Sequence, residues 1–259
     1  MKKTISFLSL LFGLFMCVTV FSACGDDDES FGGNESSHQT SKHIVKTIEE
    51  DGSSIYETTF LYDSQGRIVK VDEIRTSSRT NDHSVLTYQY GELAINSNEV
   101  RETSYSNGQI FTWSESHTYT LRNGLIVKDV EVQSSNGGHP SSTTTTYTYD
   151  NNGYMATSSV NGYTNNFTWT NGNLTCMGER EFTYTNISWP KGMFFHFKGS
   201  NLDSLLWPGG FWGKTPKNMP HQDLYKEWTY DYTITNGLIT KMRLIESGSV
   251  EYVATYTWK

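Results

Sequence analysis

The sequence predicts an all-β domain of repeated antiparallel hairpins, and three observations carry that prediction. Apolar and polar residues alternate with period two, as in Phe111, Trp113, Tyr119 and Leu121, or Trp228, Tyr230, Tyr232 and Ile234. Turns of the Asn-Gly and Asp-x-x-Gly kind recur between those stretches. No long stretch follows the 3.6-residue period of an amphipathic helix. Alternating aromatics and β-branched threonines suit strands with one buried face. Asn-Gly accepts the two positive φ angles of a type I′ hairpin turn. Successive hairpins make a meander, and a long meander exposes two edges unless it curls or closes. The expected fold is a curled antiparallel β-meander or barrel-like sheet.

The first segment stands outside that domain. Lys2 and Lys3 precede an apolar run from Ile5 to Phe21, and Ser22-Ala23-Cys24 follows with small residues at a cleavage position. That is the layout of an export signal. The run is interrupted by Ser6, Ser9, Gly13 and Thr19 and falls short of the about 20 apolar residues of a membrane span. Residues 1–23 are therefore expected to be a lipoprotein signal peptide, with Cys24 the lipid attachment site. An ordinary secretory signal would leave Cys24 as an exposed thiol in an oxidising compartment.

Residues 24–42 hold Asp26-Asp27-Asp28-Glu29 and a single large apolar residue, Phe31. Such a segment cannot bury a face and reads as an acidic tether. Loose calcium binding by the aspartate run lacks the spaced ligands of a formed loop. The lost signal carries two lysines and no acid, so the net charge of −8 becomes −10. That balance argues against nucleic acid as a partner. It leaves the lipid anchor as the link to the membrane. Cys17 leaves with the signal and Cys24 is acylated, so Cys176 has no disulfide partner. It reads as a small buried hydrophobe.

The all-β domain occupies residues 43–259. Tyr62-Asp63-Ser64-Gln65-Gly66-Arg67-Ile68 recurs as Tyr149-Asp150-Asn151-Asn152-Gly153-Tyr154-Met155. Shorter copies surround Asn123-Gly124, Asn171-Gly172 and Asn236-Gly237. These copies resemble the tyrosine-aspartate repeats of Rhs-type shell proteins. With the Cys24 motif they look more like a family of uncharacterised Bacteroides lipoproteins with a porin-like β fold. Gly213-Lys214-Thr215-Pro216-Lys217-Asn218-Met219-Pro220 resembles a short motif of such lipoproteins. The acidic run after Cys24 resembles the export signal that sends Bacteroidota lipoproteins to the cell surface. The resemblance implies an architecture and an outer-membrane location, and no catalytic residues.

Residues 187–227 break the rhythm with four prolines and with Trp189, Trp207 and Trp212. So long a connection is usually functional or disordered, and this one is too aromatic to be disordered. Trp189, Phe195, Trp207, Phe211 and Trp212 are the candidate ligand-binding residues. Either they line the mouth of the curled sheet and stack on a ligand, or they plug its open end as core. Flanking glycines suggest that Phe211 and Trp212 stay accessible. Asp203-Ser204-Leu205-Leu206-Trp207 reads as one helical turn, capped by Asn201 or Asp203 and stopped by Pro208.

Catalytic spacing is absent from the sequence. There is no Gly-x-Ser-x-Gly elbow and no His-Glu-x-x-His motif, so no catalytic residue, metal or cofactor is expected. His117 shares parity with Trp113 and Tyr119 and is expected to point inward and hydrogen-bond a tyrosine. Glu179 and Glu181 share a strand face and could converge as the two carboxylates of a glycosidase would need to, although alternating glutamates on a solvent face are the ordinary explanation. A transmembrane pore would require outward aliphatics over about 9–11 residues of each strand, which the pattern lacks. The reading is a cell-envelope lipoprotein that binds a glycan or apolar ligand without catalysis at the outer membrane. The alternatives are a structural component of an envelope protein complex, or a hydrolase with an unrecognised site.

Overall fold

The protein is described by a computed structural model that covers residues 42–136, 138–195 and 202–259. The signal peptide, Cys24, Asp26-Asp27-Asp28 and the tether up to residue 41 lie outside the described residues, as do His196 and Asn201. The described residues form sixteen antiparallel strands closed into one barrel. The first half contains β1 (Ile44–Asp51), β2 (Ser54–Tyr62), β3 (Ile68–Thr76) and β4 (Thr80–Tyr90), then β5 (Ala94–Tyr105), β6 (Ile110–Arg122), β7 (Leu125–Ser135) and β8 (Ser141–Tyr149). The second half contains β9 (Met155–Val160), β10 (Tyr163–Thr170), β11 (Asn173–Met177) and β12 (Arg180–Ser188), then β13 (Asn218–Asp223), β14 (Trp228–Thr235), β15 (Leu238–Glu246) and β16 (Ser249–Trp258). Each strand pairs with its sequence neighbours, and β1 closes the ring on β16 with Thr47 opposite Tyr256. Closure removes both exposed edges of the meander.

An up-and-down ring has two ends, and here they differ. One end carries both termini, the turns after every even strand, and the long β12–β13 connection. The other end carries only the turns after odd strands. The Asn-Gly turns at the first end adopt the expected geometry, with φ of 52° and 76° at Asn123-Gly124 and 53° and 76° at Asn236-Gly237. The Asp63 and Asp150 turns work differently. In each the aspartate Oδ1 accepts two backbone N–H groups, from Gln65 and Arg67 or from Asn152 and Tyr154.

The repeated tyrosine has a structural purpose at this end. Tyr62 donates its hydroxyl hydrogen bond to the Ile44 carbonyl at 2.6 Å, Tyr90 to Ile68 at 2.7 Å and Tyr149 to Ile126 at 2.8 Å. Trp169 donates to the Met155 carbonyl, Tyr184 to Leu174, Tyr232 to Pro220 and Trp258 to Ile239. Thus an aromatic of the even strand reaches the carbonyl of an apolar residue near the start of the preceding odd strand. In the β5–β6 pair Leu121 occupies the place, and its backbone N–H bonds the Leu93 carbonyl instead. A register shift precedes Tyr62, Leu121, Tyr149 and Trp169. Bulges of this kind re-aim a side chain, here inward as a girdle.

The insertion is shorter than expected. Asn218–Asp223 forms β13, paired with β12 and β14, so the irregular connection is 189–217. Asn-Met-Pro-His-Gln-Asp shows no alternation. Its proline sits opposite Tyr184, where the β12–β13 register shifts, one of the few places a sheet tolerates proline.

The outer surface of the barrel is hydroxylic along β8–β10. Ser142, Thr144, Thr146 and Thr148 of β8 point out and are exposed, as are Thr164, Asn166, Thr168 and Thr170 of β10. Cross-strand hydroxyl pairs such as Thr148–Thr157 at 2.7 Å and Ser159–Thr164 at 2.8 Å run over this surface. The buried tyrosines, tryptophans and aliphatic residues face inward, while Ile55, Leu61, Ile74, Tyr163, Ile234 and Val250 are scattered among the outward residues.

Candidate functional site

A ring of sixteen strands encloses more space than its own side chains fill, and the 189–217 connection fills one end. The expected helical turn exists as a short 3-10 segment, Ser204–Leu206, whose Asp203 side chain accepts the Leu205 N–H at 3.1 Å. Trp212 lies inside with no exposed surface. Its indole Nε1 donates to the Asp203 carbonyl at 2.7 Å, and its ring meets Tyr119 and Tyr147 edge-on, with centroids 6.0 and 4.9 Å away. Backbone bonds tie the plug to the girdle turns: Ile126 N–H to the Phe211 carbonyl, Lys214 N–H to Gly153 and Lys217 N–H to Gly172. At Gly213, φ is +78° and an added Cβ would lie 2.4 Å from the Gly153 carbonyl. Only glycine fits that approach.

Above the plug the lumen remains open. A cavity of about 510 Å³ lies between β1–β5 and β14–β16, within the about 300–1,000 Å³ typical of ligand sites. Its floor includes Phe194, Phe195 and Leu205 of the plug. Its outer lip includes Asp51, Glu246 and Glu251, all exposed beside the turns of the end opposite the termini. The lumen is therefore a cup, closed where the chain enters and open at the far end.

Carboxylates stand on the inner wall. Glu49 and Glu73 face the cavity with one strand between them, since Glu49 pairs with Tyr56 and Glu73 with Thr58 on β2. Burial pushes both carboxyls above the usual range. Opposing it are the Tyr252 hydroxyl at Glu49 and, at Glu73, the Arg101 charge and the Thr58 hydroxyl, 3.2 Å away. Glu99 accepts from Ser84 at 2.5 Å and pairs with Arg101 at 2.9 Å.

A second cavity of about 350 Å³ adjoins the first, sharing Leu86, Glu99, Ser204 and Leu205 with it. His117 sits there between Asp129, 2.9 Å from Nδ1, and Glu115, 2.8 Å from Nε2, and stacks flat on Tyr119. Burial alone would lower the His117 pKa, but the hydrogen bonds to the two carboxylates overcome it and push it up to about 10. Inward placement of His117 is as expected. Its hydrogen-bond partners are carboxylates rather than a tyrosine, because Tyr119 directs its hydroxyl to Asp203 at 3.4 Å. Tyr88 donates to the same Asp203 oxygen at 2.6 Å. Burial raises the Asp203 carboxyl in spite of these bonds.

The five candidate aromatics separate. Phe195 lines the cup and meets Tyr230 edge-on at 5.1 Å. Trp189 and Trp207 border a hollow of about 530 Å³ formed wholly by the insertion. Phe211 is half-buried and stacks on Tyr90 at 5.6 Å. Trp212, expected to be accessible, is instead the most enclosed: Gly213 lets its backbone dock on Gly153, which drives the indole into the core. Glu179 lies in the β11–β12 turn and both it and Glu181 are exposed, away from the cup. Cys176 is half-buried rather than buried and donates to the Gly178 carbonyl at 3.2 Å.

The wall carboxylates are not among the candidate residues that the sequence singles out. Glu115 was within reach, since it shares parity with Trp113, His117 and Tyr119. Glu49 and Glu73 stand in charged runs, Glu49-Glu50-Asp51 and Asp72-Glu73, where alternation is invisible.

A family model described as a domain of unknown function (DUF4595) with porin-like fold matches residues 60–238. That span includes the whole plug and the cup wall of β3–β5 and β14, while the wall residues of β1, β15 and β16 lie outside it. Among solved structures, a porin-like protein from Bacteroides vulgatus ATCC 8482 is similar with 11% identity and a TM-score of 0.30, over 84% of this chain and 99% of that one. No curated protein matches the sequence.

Proposed function

The chain belongs to the DUF4595 family of porin-like domains, and from that premise we propose that it is a non-catalytic ligand-binding cup of the cell envelope. One observation carries the reading: the barrel is plugged where the chain enters and open at the far end, leaving a cavity of about 510 Å³ with aromatic and polar walls. Phe60, Phe195, Trp228 and Tyr230 offer flat apolar faces, suited to a sugar ring or an apolar body. The hydroxylic exterior supports a barrel that stands in water rather than one that crosses a bilayer, since a membrane barrel presents an apolar band to lipid.

Attachment comes from Cys24, acylated after removal of residues 1–23. Lys42 enters the barrel at the plugged end, where the His43 N–H bonds the Lys259 carbonyl. Metabolic labelling with palmitate checks the anchor: Cys24→Ala loses the label and releases the protein, and a variant still labelled would refute the attachment.

The binding role is tested with neutral probes on the purified protein. Nile red and a set of neutral oligosaccharides are titrated while intrinsic tryptophan fluorescence is followed. The expected result is saturable binding at one site, lost in Leu244→Trp, which fills the cavity from its wall, while the thermal transition is kept. Absence of saturable binding of every neutral probe, or binding that survives Leu244→Trp, removes the lumen as the site.

A further inference from the structure

The cup wall is charged in one sense. Ten carboxylates line the two adjoining cavities, against Arg101 and His117 as cations among the described lining residues. Both cations are already engaged. Arg101 pairs with Glu99 at 2.9 Å, and His117 is held between Glu115 and Asp129. Glu49 is left with hydroxyl groups as hydrogen-bond partners, those of Tyr252 and Thr47, and Glu73 with that of Thr58 and a share of the Arg101 charge. Buried charge is normally matched by opposite charge, so this wall lacks its complement.

Thr47 is 1% exposed and lines the cavity beside Glu49, where its hydroxyl shares that carboxylate with Tyr252. The aromatic side of the same space points to an occupant. The faces of Trp228, Tyr230, Tyr252 and Tyr256 border the same volume, and cations are attracted to aromatic faces. A bare metal ion fits poorly, because among the described residues no three potential ligands converge on one point.

We propose that the cup selects an organic cation, with an ammonium or guanidinium head between Glu49 and Glu73 and an apolar body against Phe60, Phe195 and Trp228. This rests on the reading of the lumen as a ligand cavity and narrows its ligand class. The head takes the charge that the wall lacks, and its N–H groups reach the carboxylates and the Thr47 hydroxyl. The body occupies the aromatic side of the cavity, so charge and shape are read by different walls.

A matched series separates charge from shape: 4-phenylbutylamine, 4-phenylbutanol and 4-phenylbutyrate share one body and differ in the head. Titration by calorimetry on the purified protein at low salt is expected to rank the amine at least about tenfold above the alcohol, with the acid weakest. The preference shrinks at high salt as the wall charge is screened. In the double variant Glu49→Gln, Glu73→Gln the preference for the amine over the alcohol is lost. An amine that binds no tighter than the alcohol, absence of amine binding, or a preference that survives the double variant overturns the proposal. Nile red bound in the same samples keeps the two readings distinct. If it binds while the amine shows no preference, the cation claim falls and the cup stands.

Discussion

At the plugged end of the barrel the aromatic side chains are satisfied by one repeated rule, whereas at the open end the same strands carry inward carboxylates held by whatever hydroxyl lies near. Tyr62, Tyr149 and Trp258 each bury a ring and place a polar tip on a neighbouring carbonyl. Further along the strands, Glu49, Glu73 and Glu99 face a cavity of about 510 Å³ with few cations beside them. The first arrangement gains apolar burial and leaves no polar group unmet. The second sacrifices stability, because each buried carboxylate is poorly solvated. Position in the barrel, rather than strand identity, decides which rule applies. The contrast teaches that the floor is built to hold the fold and the mouth is built to meet something else.

The largest test of that contrast removes the centre of the floor. Trp212→Ala deletes a ring with no exposed surface that packs on Tyr119 and Tyr147. It also takes away the donor to the Asp203 carbonyl. Truncations of this kind cost about 3–5 kcal/mol, and urea unfolding followed by circular dichroism is expected to show a loss in that range. A loss under about 1 kcal/mol would mean that the plug rests in the barrel without supporting it. The floor would then be no more structural than the mouth.

The floor half was legible in the sequence and the mouth half was not. Tyrosine before a turn and aliphatic after it recur at fixed spacing, because each hairpin makes the same contact. A repeat in sequence therefore became a girdle in space. The turn geometry at Asn123-Gly124 and the cap at Asp203 followed from local chemistry alone. Closure of the ring was implied only by the need to remove edges. The fate of Trp212 depended on one close approach, Gly213 to Gly153, between segments about 60 residues apart that no local pattern announces. β13 was hidden because Met219 and Pro220 are both buried in a strand without alternation. The cup carboxylates were hidden for a different reason. A glutamate on the inner face and one on the outer face read alike wherever charged residues are adjacent, as at Glu49-Glu50-Asp51.

Glu49→Gln gives the smaller and sharper test, because its sign is opposite to that of the floor substitution. Burial raises the Glu49 carboxyl above its ordinary value, so the folded protein holds that proton more tightly than the unfolded chain. Below the unfolded glutamate pKa of about 4.3 both states are protonated and the group costs little. As pH rises through that value the unfolded chain ionises first, and folding loses stability until the folded carboxyl ionises too. At neutral pH the full penalty is present. The glutamine variant avoids it and keeps a partner for the Tyr252 hydroxyl, so it is expected to be more stable than the parent by about 0.5–1 kcal/mol at pH 7. The difference should vanish near pH about 3–4, below the titration of either state. Denaturation at the two pH values measures both. Equal stabilisation at each pH would assign the effect to packing rather than charge, and destabilisation at pH 7 would show that the carboxylate already has its counter-charge within the barrel. The expected result couples two quantities that a structural residue would not couple: the substitution that stabilises the mouth is also half of the pair that abolishes its preference for a cation.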